Sequence, residues 1–384
     1  MNVNQVYSLL NSVAEQYQGK DFPQVVDASS FVSYGNTVIS SSTDTDAFLG
    51  VLVDRIGRTV LRTLDLDINY PNIMRDSFEF GAILQKITVE PLSAQSAEAW
   101  NVGQGGFSPN QFKIDKPGIR QSLFTGINTW EFDLTIPDKL FKTAFTSEAM
   151  FASFVDALIA SMTDSMTLYI NYANRLCVNT AIANKIQDDE NVVHLITEFG
   201  DPTVTIANCL TNKDFLKFMG KRMGDMIRYM REPGVAFNAE HVVRATARDN
   251  MHIFLIGEAA AAYTTYLEAD TFNAEMVKMP LYQEVTAWQG SFASDLDPSD
   301  PQPVTMPDFA TSCYIDIKLD ANTTVAKGGI VAAFFDREAL GSTMYDIRTA
   351  ADRNNRDEYT NYTNKADIGY FVDKSENGVV FVLD

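Results

Sequence analysis

The chain has 384 residues, with 30 Lys and Arg against 50 Asp and Glu, which gives a net charge of −20 with histidine neutral. This balance argues against a dedicated nucleic-acid binder, which needs a concentrated positive face, and a hydrophobic content of 46% excludes intrinsic disorder. No apolar run approaches ~18 residues, so we expect no transmembrane helix, and residues 1–20 lack the pattern of a secretion signal. Three widely spaced cysteines indicate reduced thiols and no disulfide framework.

The N-terminal part of the chain predicts two short helices on either side of a segment with little core. Apolar residues on one helical face predict a helix over residues 3–18. Residues 20–43 are rich in Ser and turn formers, and they are typical of an extended arm. Asp44 can cap a helix over residues 45–55, and alternation over residues 59–68 predicts a half-buried strand.

Between residues 80 and 145 the sequence pattern is that of β-hairpins. Strand-like pieces at 82–90, 112–114 and 129–136 are separated by a loose tract and by a Pro-Gly turn, and no helical stripe appears. Because such a length of β sequence has no clear core, we expect a long projecting loop that needs a partner surface to stay ordered.

The most regular stretch follows, over residues 146–187, which contain no Gly and no Pro. Ser147 can cap the start of a helix here. Large apolar side chains recur at steps of three or four, at Phe151, Val155, Leu158, Met162, Met166, Tyr169, Ala173 and Leu176. At ~1.5 Å per residue this helix would be about 60 Å long, so we interpret it as a spine along which other elements pack. A two-residue coiled-coil seam is disfavoured because Phe154 and Ile159 widen the apolar stripe.

The last part of the chain alternates helix and strand signals. These are helices at 208–230 and 259–267, strands at 252–256, 313–319 and 329–335, an acidic Pro-rich loop at 288–307, and a final hairpin formed by 369–373 and 379–383.

Features that could carry chemistry have plainer explanations. The glycine-rich residues 102–106 are not followed by a convincing helix, which favours a flexible loop over a phosphate-binding turn. The histidines lack metal-ligand spacing, and Asp295, Asp297 and Asp300 lack the regular pattern and closing Glu of a calcium loop. We therefore expect no catalytic residues, no metal and no cofactor, so the chain is not predicted to be an enzyme.

The order of elements resembles the Hong Kong-type (HK97-like) fold of tailed-phage major capsid proteins. The local sequence is similar to the capsid proteins of phi29-type podoviruses. Two segments carry the resemblance: residues 48–57 (FLGVLVDRIG) with Val60 and Arg62, and residues 140–145 (LFKTAF) with residues 151–155 (FASFV).

This resemblance implies an α+β, HK97-like capsid fold. Its parts would be an N-terminal arm (1–43), a peripheral domain with the spine helix (44–80, 142–207 and 331–384), an extended β-hairpin or extension loop (81–141), and an α/β axial domain (208–330). It also implies that the chain is a major capsid protein, located in the virion. Copies would self-assemble as pentamers and hexamers into the icosahedral head of a double-stranded DNA phage, in the bacterial host cytoplasm. A scaffolding protein and a portal would be partners, DNA would be enclosed without specific binding, and no membrane would be involved.

Reasoning from the residues points the same way, because an arm and a loop without cores must bury themselves on other copies. The expected contact residues are Phe107, Lys113, Lys116 and Arg120 on the loop, with Arg353, Arg356 and Asp357 as interface charges. For this second group, an exposed charged turn is an equally open interpretation. Two other functions stay open: an encapsulin-like compartment that holds a cargo enzyme, and an α/β enzyme.

Overall fold

The structure is a computed structural model with helices and sheets in both of its compact units. It describes residues 3–16, 24–39, 48, 51–52, 70, 73–74, 84–92, 116–124, 127–137, 144, 147–189, 191–265, 282–289, 308–354 and 356–384. Unit 1 comprises Met1–Glu79, Ile127–Asn174 and Ser342–Gly369, and unit 2 comprises Phe80–Gly126, Arg175–Gly341 and Tyr370–Asp384. The predicted mixture of helices and sheets is confirmed.

Seven α-helices and twelve strands lie in the described ranges. The helices are α1 (Val3–Gln16), α2 (Ala28–Ile39), α3 (Glu148–Asp188), α4 (Leu195–Phe199), α5 (Lys213–Arg231), α6 (Gly257–Tyr263) and α7 (Phe309–Ser312). The strands are β1 (Leu84–Val89), β2 (Ile119–Phe124), β3 (Ile127–Pro137), β4 (Val192–His194), β5 (Met251–Ile256), β6 (Gln283–Val285), β7 (Ile315–Lys318), β8 (Thr324–Lys327), β9 (Ile330–Asp336), β10 (Leu340–Asn354), β11 (Tyr359–Val372) and β12 (Gly378–Val382).

The described part of the N-terminal segment forms two packed helices, so the expectation of an extended arm over residues 20–43 is wrong for Ala28–Ile39. The helix α2 buries Phe31, Tyr34 and Val38, which recur at helical spacing, in the same cluster as α1. The Phe31 ring lies edge-on to Phe151 of α3, with centroids 6.1 Å apart. The Tyr34 hydroxyl donates to the carbonyl of Leu10 at 3.1 Å. The many turn-forming residues favoured an extended segment in the prediction. The few apolar residues nevertheless lie on one helical face, and this is sufficient for α2 to pack.

The long helix predicted over residues 146–187 is confirmed as α3. The Ser147 hydroxyl accepts a hydrogen bond from the Met150 backbone N–H at 3.3 Å, as a capping residue does. The predicted apolar stripe is buried at Phe151, Val155 and Ala173. The end of α3 that belongs to unit 2 is buried more widely, and the residues concerned are Cys177, Val178, Ala181, Ile182 and Ala183.

Unit 1 also contains a three-stranded sheet in the order β10-β11-β3. Strand β3 pairs antiparallel with β11 over its whole length, from Ile127↔Gly369 to Pro137↔Tyr359. The ring of Trp130 in β3 packs against that of Tyr169 in α3, with centroids 4.9 Å apart. Within the range 81–141, Ile127–Pro137 is therefore paired and packed inside unit 1.

Unit 2 is built on a five-stranded sheet in the order β4-β12-β9-β5-β6. The predicted hairpin between residues 369–373 and 379–383 is wrong, because β12 pairs with β9 and β4 while β11 pairs in unit 1. Strands β9 and β12 are buried throughout, as expected for central strands. Strand β9 also pairs antiparallel with β5, so β12, β9 and β5 lie in one sheet.

Other predicted elements of unit 2 agree with the structure. The helix at 208–230 appears as α5, the strands at 252–256, 313–319 and 329–335 as β5, β7 and β9, and the helix at 259–267 as α6. The strands predicted at 59–68 and 112–114, and the loop at 290–307, lie outside the described residues. In the part of the chain that the structure describes, no helix is long and apolar enough to cross a membrane.

Candidate functional site

The described side chains include neither a cluster that could hold a metal ion nor a reactive thiol. No three His, Cys, Asp or Glu side chains among them come close enough together to hold a metal ion. The cysteines are buried, and burial raises the pKa of the thiols, to about 12 for Cys177 and about 11 for Cys209. Protonated thiols are poor nucleophiles, so these residues pack as small apolar groups.

The surface that stands out is the two-stranded ribbon formed by β1 and β2. The strands pair antiparallel, so Val89 lies opposite Ile119 and Ile87 opposite Gln121. Residues directly opposite each other point to the same side of a ribbon. We call this side the outer face, and its members are Gln85, Ile87, Val89, Ile119, Gln121 and Leu123. Its four apolar side chains are between 56% and 66% exposed, which is unusual for large apolar residues side by side.

The opposite side of the ribbon, the inner face, is attached to the rest of unit 2 by ion pairs. Lys86 Nζ donates to Asp373 Oδ2 at 2.8 Å and to Glu376 Oε1 at 2.6 Å. A second cation, Arg244, lies 2.9 Å from the same Glu376 oxygen and donates to Thr88 Oγ1 at 2.9 Å. We call Lys86, Arg244, Asp373 and Glu376 the Lys86 cluster. Both carboxylates are nearly inaccessible, with side chains 3% and 6% exposed.

Burial and charge act in opposite directions on Lys86. Burial by itself would lower the pKa of Lys86, but the hydrogen bonds to Asp373 and Glu376 and their negative charges outweigh it, so the pKa is raised. Lys86 is therefore charged at neutral pH. For Glu376, burial raises the pKa more than Lys86 and Arg244 lower it. The cluster thus depends on its cations, because removing one would leave a buried carboxylate without compensation.

The turn that carries both carboxylates is held in one conformation by local hydrogen bonds. Asp373 Oδ1 accepts from the Ser375 backbone N–H at 2.8 Å, and the Asp373 N–H donates to the Ala339 carbonyl at 2.7 Å. The Asn377 side chain donates to Thr246 Oγ1 at 3.1 Å. A fixed turn presents the carboxylates to Lys86 without further ordering, which makes the attachment specific in geometry.

Two of the four predicted loop-contact residues lie in the described chain. Arg120 Nε donates to Glu90 at 2.8 Å, and its Nη1 lies 3.4 Å from Glu240, so its charge is already paired within unit 2. Lys116 is exposed beside the ribbon. Phe107 and Lys113 lie outside the described residues.

The three predicted interface charges lie at the turn between β10 and β11. Asn354 organises this turn, since its Oδ1 accepts from the Arg356 N–H at 3.0 Å and its Nδ2 donates to Asp357 at 3.0 Å. Arg356 and Asp357 are exposed and Arg353 is half-buried. These residues belong to unit 1, whereas Lys116 and Arg120 belong to unit 2. The local geometry is that of an exposed charged turn.

Sequence reasoning missed the Lys86 cluster and the outer face. The sequence predicts only a strand-like piece over residues 82–90, and in the structure Lys86 lies on the inner face of the ribbon, where an apolar residue would be expected. A charge at such a position signals a buried partner. Its partners follow 287 and 290 residues later, beyond the reach of any spacing argument.

Comparisons with a family model and with curated proteins all identify phage major capsid proteins as similar to this chain. The model of the family described as Phi29-like phage major capsid protein matches residues 6–382. The major capsid protein of Streptococcus phage Cp-1 is 31% identical over 236 residues, which are 59% of this chain and 60% of that protein. The major capsid protein of Bacillus phage GA-1 is 20% identical over 275 residues, 71% of this chain and 55% of that protein. Each of these matches spans less than two thirds of the relative's own length.

The fold is also similar to chains of solved phage structures. One belongs to the capsid structure of Staphylococcus phage Andhra, with a TM-score of 0.53 and 10% identity, covering 83% of this chain and 85% of that one. Another belongs to the structure of head fiber and inner core protein gp22 of native bacteriophage P68, with a TM-score of 0.56 and 8% identity over the same shares. At these identities the likeness concerns the fold alone.

Proposed function

We propose a function from one premise: the chain belongs to the Phi29-like phage major capsid protein family, whose model matches residues 6–382. We infer that it is the major capsid protein of a tailed bacteriophage. Copies self-assemble into the icosahedral head that encloses double-stranded DNA, and the protein is located in the virion. The match to the family carries this conclusion because it runs through both units.

The outer face of the ribbon supports assembly. A two-stranded ribbon is marginally stable by itself, and here its inner face is attached by the Lys86 cluster while the outer face presents four apolar side chains to solvent. Contiguous exposed apolar surface marks a site of protein interaction. We infer that a neighbouring copy covers the outer face in the shell.

We also propose how the parts of the chain serve the shell. The helix α3 acts as the spine helix of the HK97-like fold, unit 1 serves as the peripheral domain and unit 2 supplies the axial domain. Within the range 81–141, β3 pairs inside unit 1, so the extension loop that reaches a neighbour lies between residues 81 and 126. The helical segment within residues 1–43 belongs to the peripheral domain at least over α1 and α2, which pack in unit 1.

The partners follow from the same function. Pentamers and hexamers of the chain form the shell, with a scaffolding protein and a portal as further partners. The net charge of −20 supports enclosure of DNA without specific binding, because an acidic wall repels a packed polyanion. The function requires no catalytic residue, metal or cofactor.

The contact residues remain part of this proposal. On the extension loop they are Phe107, Lys113, Lys116 and Arg120, and at the β10–β11 turn they are Arg353, Arg356 and Asp357. Arg120 contributes to a neighbour only by exchanging Glu90 or Glu240 for a partner on that copy. Exchange of exposed pairs costs little, since each contributes about 0.2–1 kcal/mol.

An expression experiment tests the function. The full chain is produced with and without the products of its neighbouring genes, and the products are imaged by electron microscopy. We expect closed shells of uniform size when a scaffolding protein is present. A chain that stays monomeric under all assembly conditions would contradict the proposal. The encapsulin-like alternative is not favoured, because the family and the two curated relatives above are phage major capsid proteins.

A further inference from the structure

The helix α5 carries charge of the opposite sign to the rest of the protein. Its 19 residues include six Lys or Arg and two Asp, a net charge of +4. The remaining chain keeps 24 of the 30 basic and 48 of the 50 acidic residues, a net charge of −24. A concentration of cations on one element of an acidic protein is a local surface feature that net charge conceals.

The cations of α5 lie on one side of the helix. At about 100° per residue, five of them fall within an arc of about 80°, opposite the side that packs in the core. We call these five the α5 basic stripe, and they are Lys213, Lys217, Lys221, Arg228 and Arg231, all exposed. The buried side consists of Phe215, Leu216, Met219, Met223, Met226, Ile227 and Met230. At ~1.5 Å per residue the stripe is about 27 Å long.

The cations of α5 differ in their partners: one is bonded to a neighbouring helix, and the others are exposed. Arg222 lies outside the stripe and makes two hydrogen bonds to Glu198, at 2.6 and 3.0 Å, which tie α5 to α4. Lys221, next to it, forms no ion pair within the part of the chain that the structure describes. Lys217 lies 3.7 Å from Asp214, and Arg228 donates to Asp225 at 3.0 Å. Both carboxylates belong to α5 itself, which carries two Asp against the five cations of the stripe. The stripe is therefore incompletely neutralised by its own chain.

The chemistry of the stripe selects its partner. It cannot face a second α5 across a two-fold axis, because like charges would oppose each other. DNA carries negative charge on every side and brings no cation to offset the acidic remainder of the protein. A second copy has acidic surface and also its own stripe, so each contact that forms leaves another available. Such a contact joins two different faces, and repetition of it with rotation closes a ring.

We propose that the α5 basic stripe binds an acidic face of a neighbouring copy in a head-to-tail contact that closes rings of copies. This inference rests on the proposed function, which supplies the neighbours, and it names the surface that holds them together. The contact is electrostatic and exposed at its rim, so it is screened at a Debye length of about 8 Å at physiological ionic strength. Assembly should weaken as salt is raised, with the loss carried by these cations.

A charge reversal tests the contact against a matched control. The variant Lys217→Glu/Lys221→Glu changes two stripe residues, and Arg248→Glu/Lys318→Glu makes the same change in charge at two exposed positions elsewhere in unit 2. Both are compared with the wild type by circular dichroism, sedimentation and electron microscopy. We expect all three to fold, and the stripe variant alone to need at least a tenfold higher concentration to form rings or shells.

Mixing sharpens the test. A stripe-reversed copy keeps its acidic face, so it can add to a growing ring but cannot pass the contact on. We therefore expect an equimolar mixture of wild type and stripe variant to assemble less well than wild type mixed with the control variant. If the charge reversal unfolds the chain, Lys217→Gln/Lys221→Gln replaces it, with a salt dependence weaker than that of the wild type as the expected result.

The outcomes separate this inference from the function on which it rests. Wild-type shells together with equal assembly of the stripe variant overturn the inference alone. So does a stripe variant that assembles normally but loses co-purified nucleic acid, because the stripe would then face DNA. A wild type that forms no ring or shell overturns the proposed function, and the head-to-tail contact with it.

Discussion

The sequence predicts that two segments need the surface of another copy, and in the structure these segments have opposite environments. The N-terminal segment that ends with α2 buries its apolar side chains in unit 1, where Phe31 meets Phe151. The β1–β2 ribbon is attached to the rest of unit 2 by the Lys86 cluster and leaves Val89 and Ile119 exposed. A low density of apolar residues therefore does not decide whether a segment needs a partner. The arrangement of the apolar residues decides whether a segment needs a partner. Three apolar side chains on one face of α2 all pack in the same core, whereas the two faces of a ribbon point in opposite directions and only one of them packs against its own chain.

The largest expected effect comes from a substitution in the packed segment, at Phe31 of α2. Phe31→Ala removes a fully buried ring, and such changes cost about 3–5 kcal/mol. Val32, the next residue, is half exposed, so Val32→Ala should change stability by less than about 1 kcal/mol. Chemical denaturation of the unassembled protein measures both. Equal effects of the two changes would show that α2 does not pack as described.

The next effect concerns the attached face of the ribbon. Lys86→Met removes the cation that Asp373 and Glu376 share and leaves Glu376 with Arg244 alone. Loss of hydrogen bonds to charged groups costs about 2 kcal/mol. We expect amide hydrogens of β1 and β2 to exchange about 30-fold faster, which corresponds to that free energy. Lys116→Met, at an exposed position beside the ribbon, serves as the control. Unchanged exchange in the Lys86 variant would mean that the cluster does not hold the ribbon.

The outer face should affect assembly and not stability. Val89→Thr/Ile119→Thr keeps β-branched side chains but removes apolar surface, so the free energy of unfolding should change by less than about 0.5 kcal/mol. If a neighbour buries this face, the loss is about 1 kcal/mol for each side chain, and the concentration needed for assembly rises at least tenfold. Sedimentation across a concentration series measures it. Gln121→Thr, on the same face, should assemble normally, and normal assembly of the double variant would contradict the proposed contact.

The smallest effect is a pH dependence at the start of α2. The Ser30 backbone N–H donates to Asp27 Oδ1 at 2.8 Å, and this bond, followed by those from the Ser30 and Ser29 hydroxyls, lowers the pKa of Asp27. A lowered pKa means that the contribution to stability is present above the ordinary value of 3.8 and is lost as the pH falls through the folded value. Asp27→Asn keeps an acceptor for the cap but does not titrate.

Thermal midpoints of the wild type and Asp27→Asn between about pH 6 and 3 measure this effect. Other carboxylates titrate equally in both proteins, so the difference between the two curves isolates Asp27. We expect the wild type to lose its advantage as the pH falls below about 4. A constant difference over the whole range would show that the charge of Asp27 does not stabilise α2.

The sequence by itself determined the elements whose signals are local. The helix α3 follows from a long run without Gly or Pro and from apolar steps of three or four, and β5 and β9 from short apolar runs. The resemblance of two short segments also pointed to the family that the whole-chain match establishes. These signals survive because periodicity and motif similarity are properties of neighbouring residues.

Only the tertiary structure decided which strands pair and which surfaces stay exposed. A turn signal at Glu376–Gly378 predicted a hairpin, yet β12 lies between β9 and β4, where all of its residues are buried. Lys86 meets carboxylates almost 300 residues away along the chain. Strand partners and charge partners are chosen by surfaces that meet after the chain has folded, so the residues next to them in sequence carry little information about that choice.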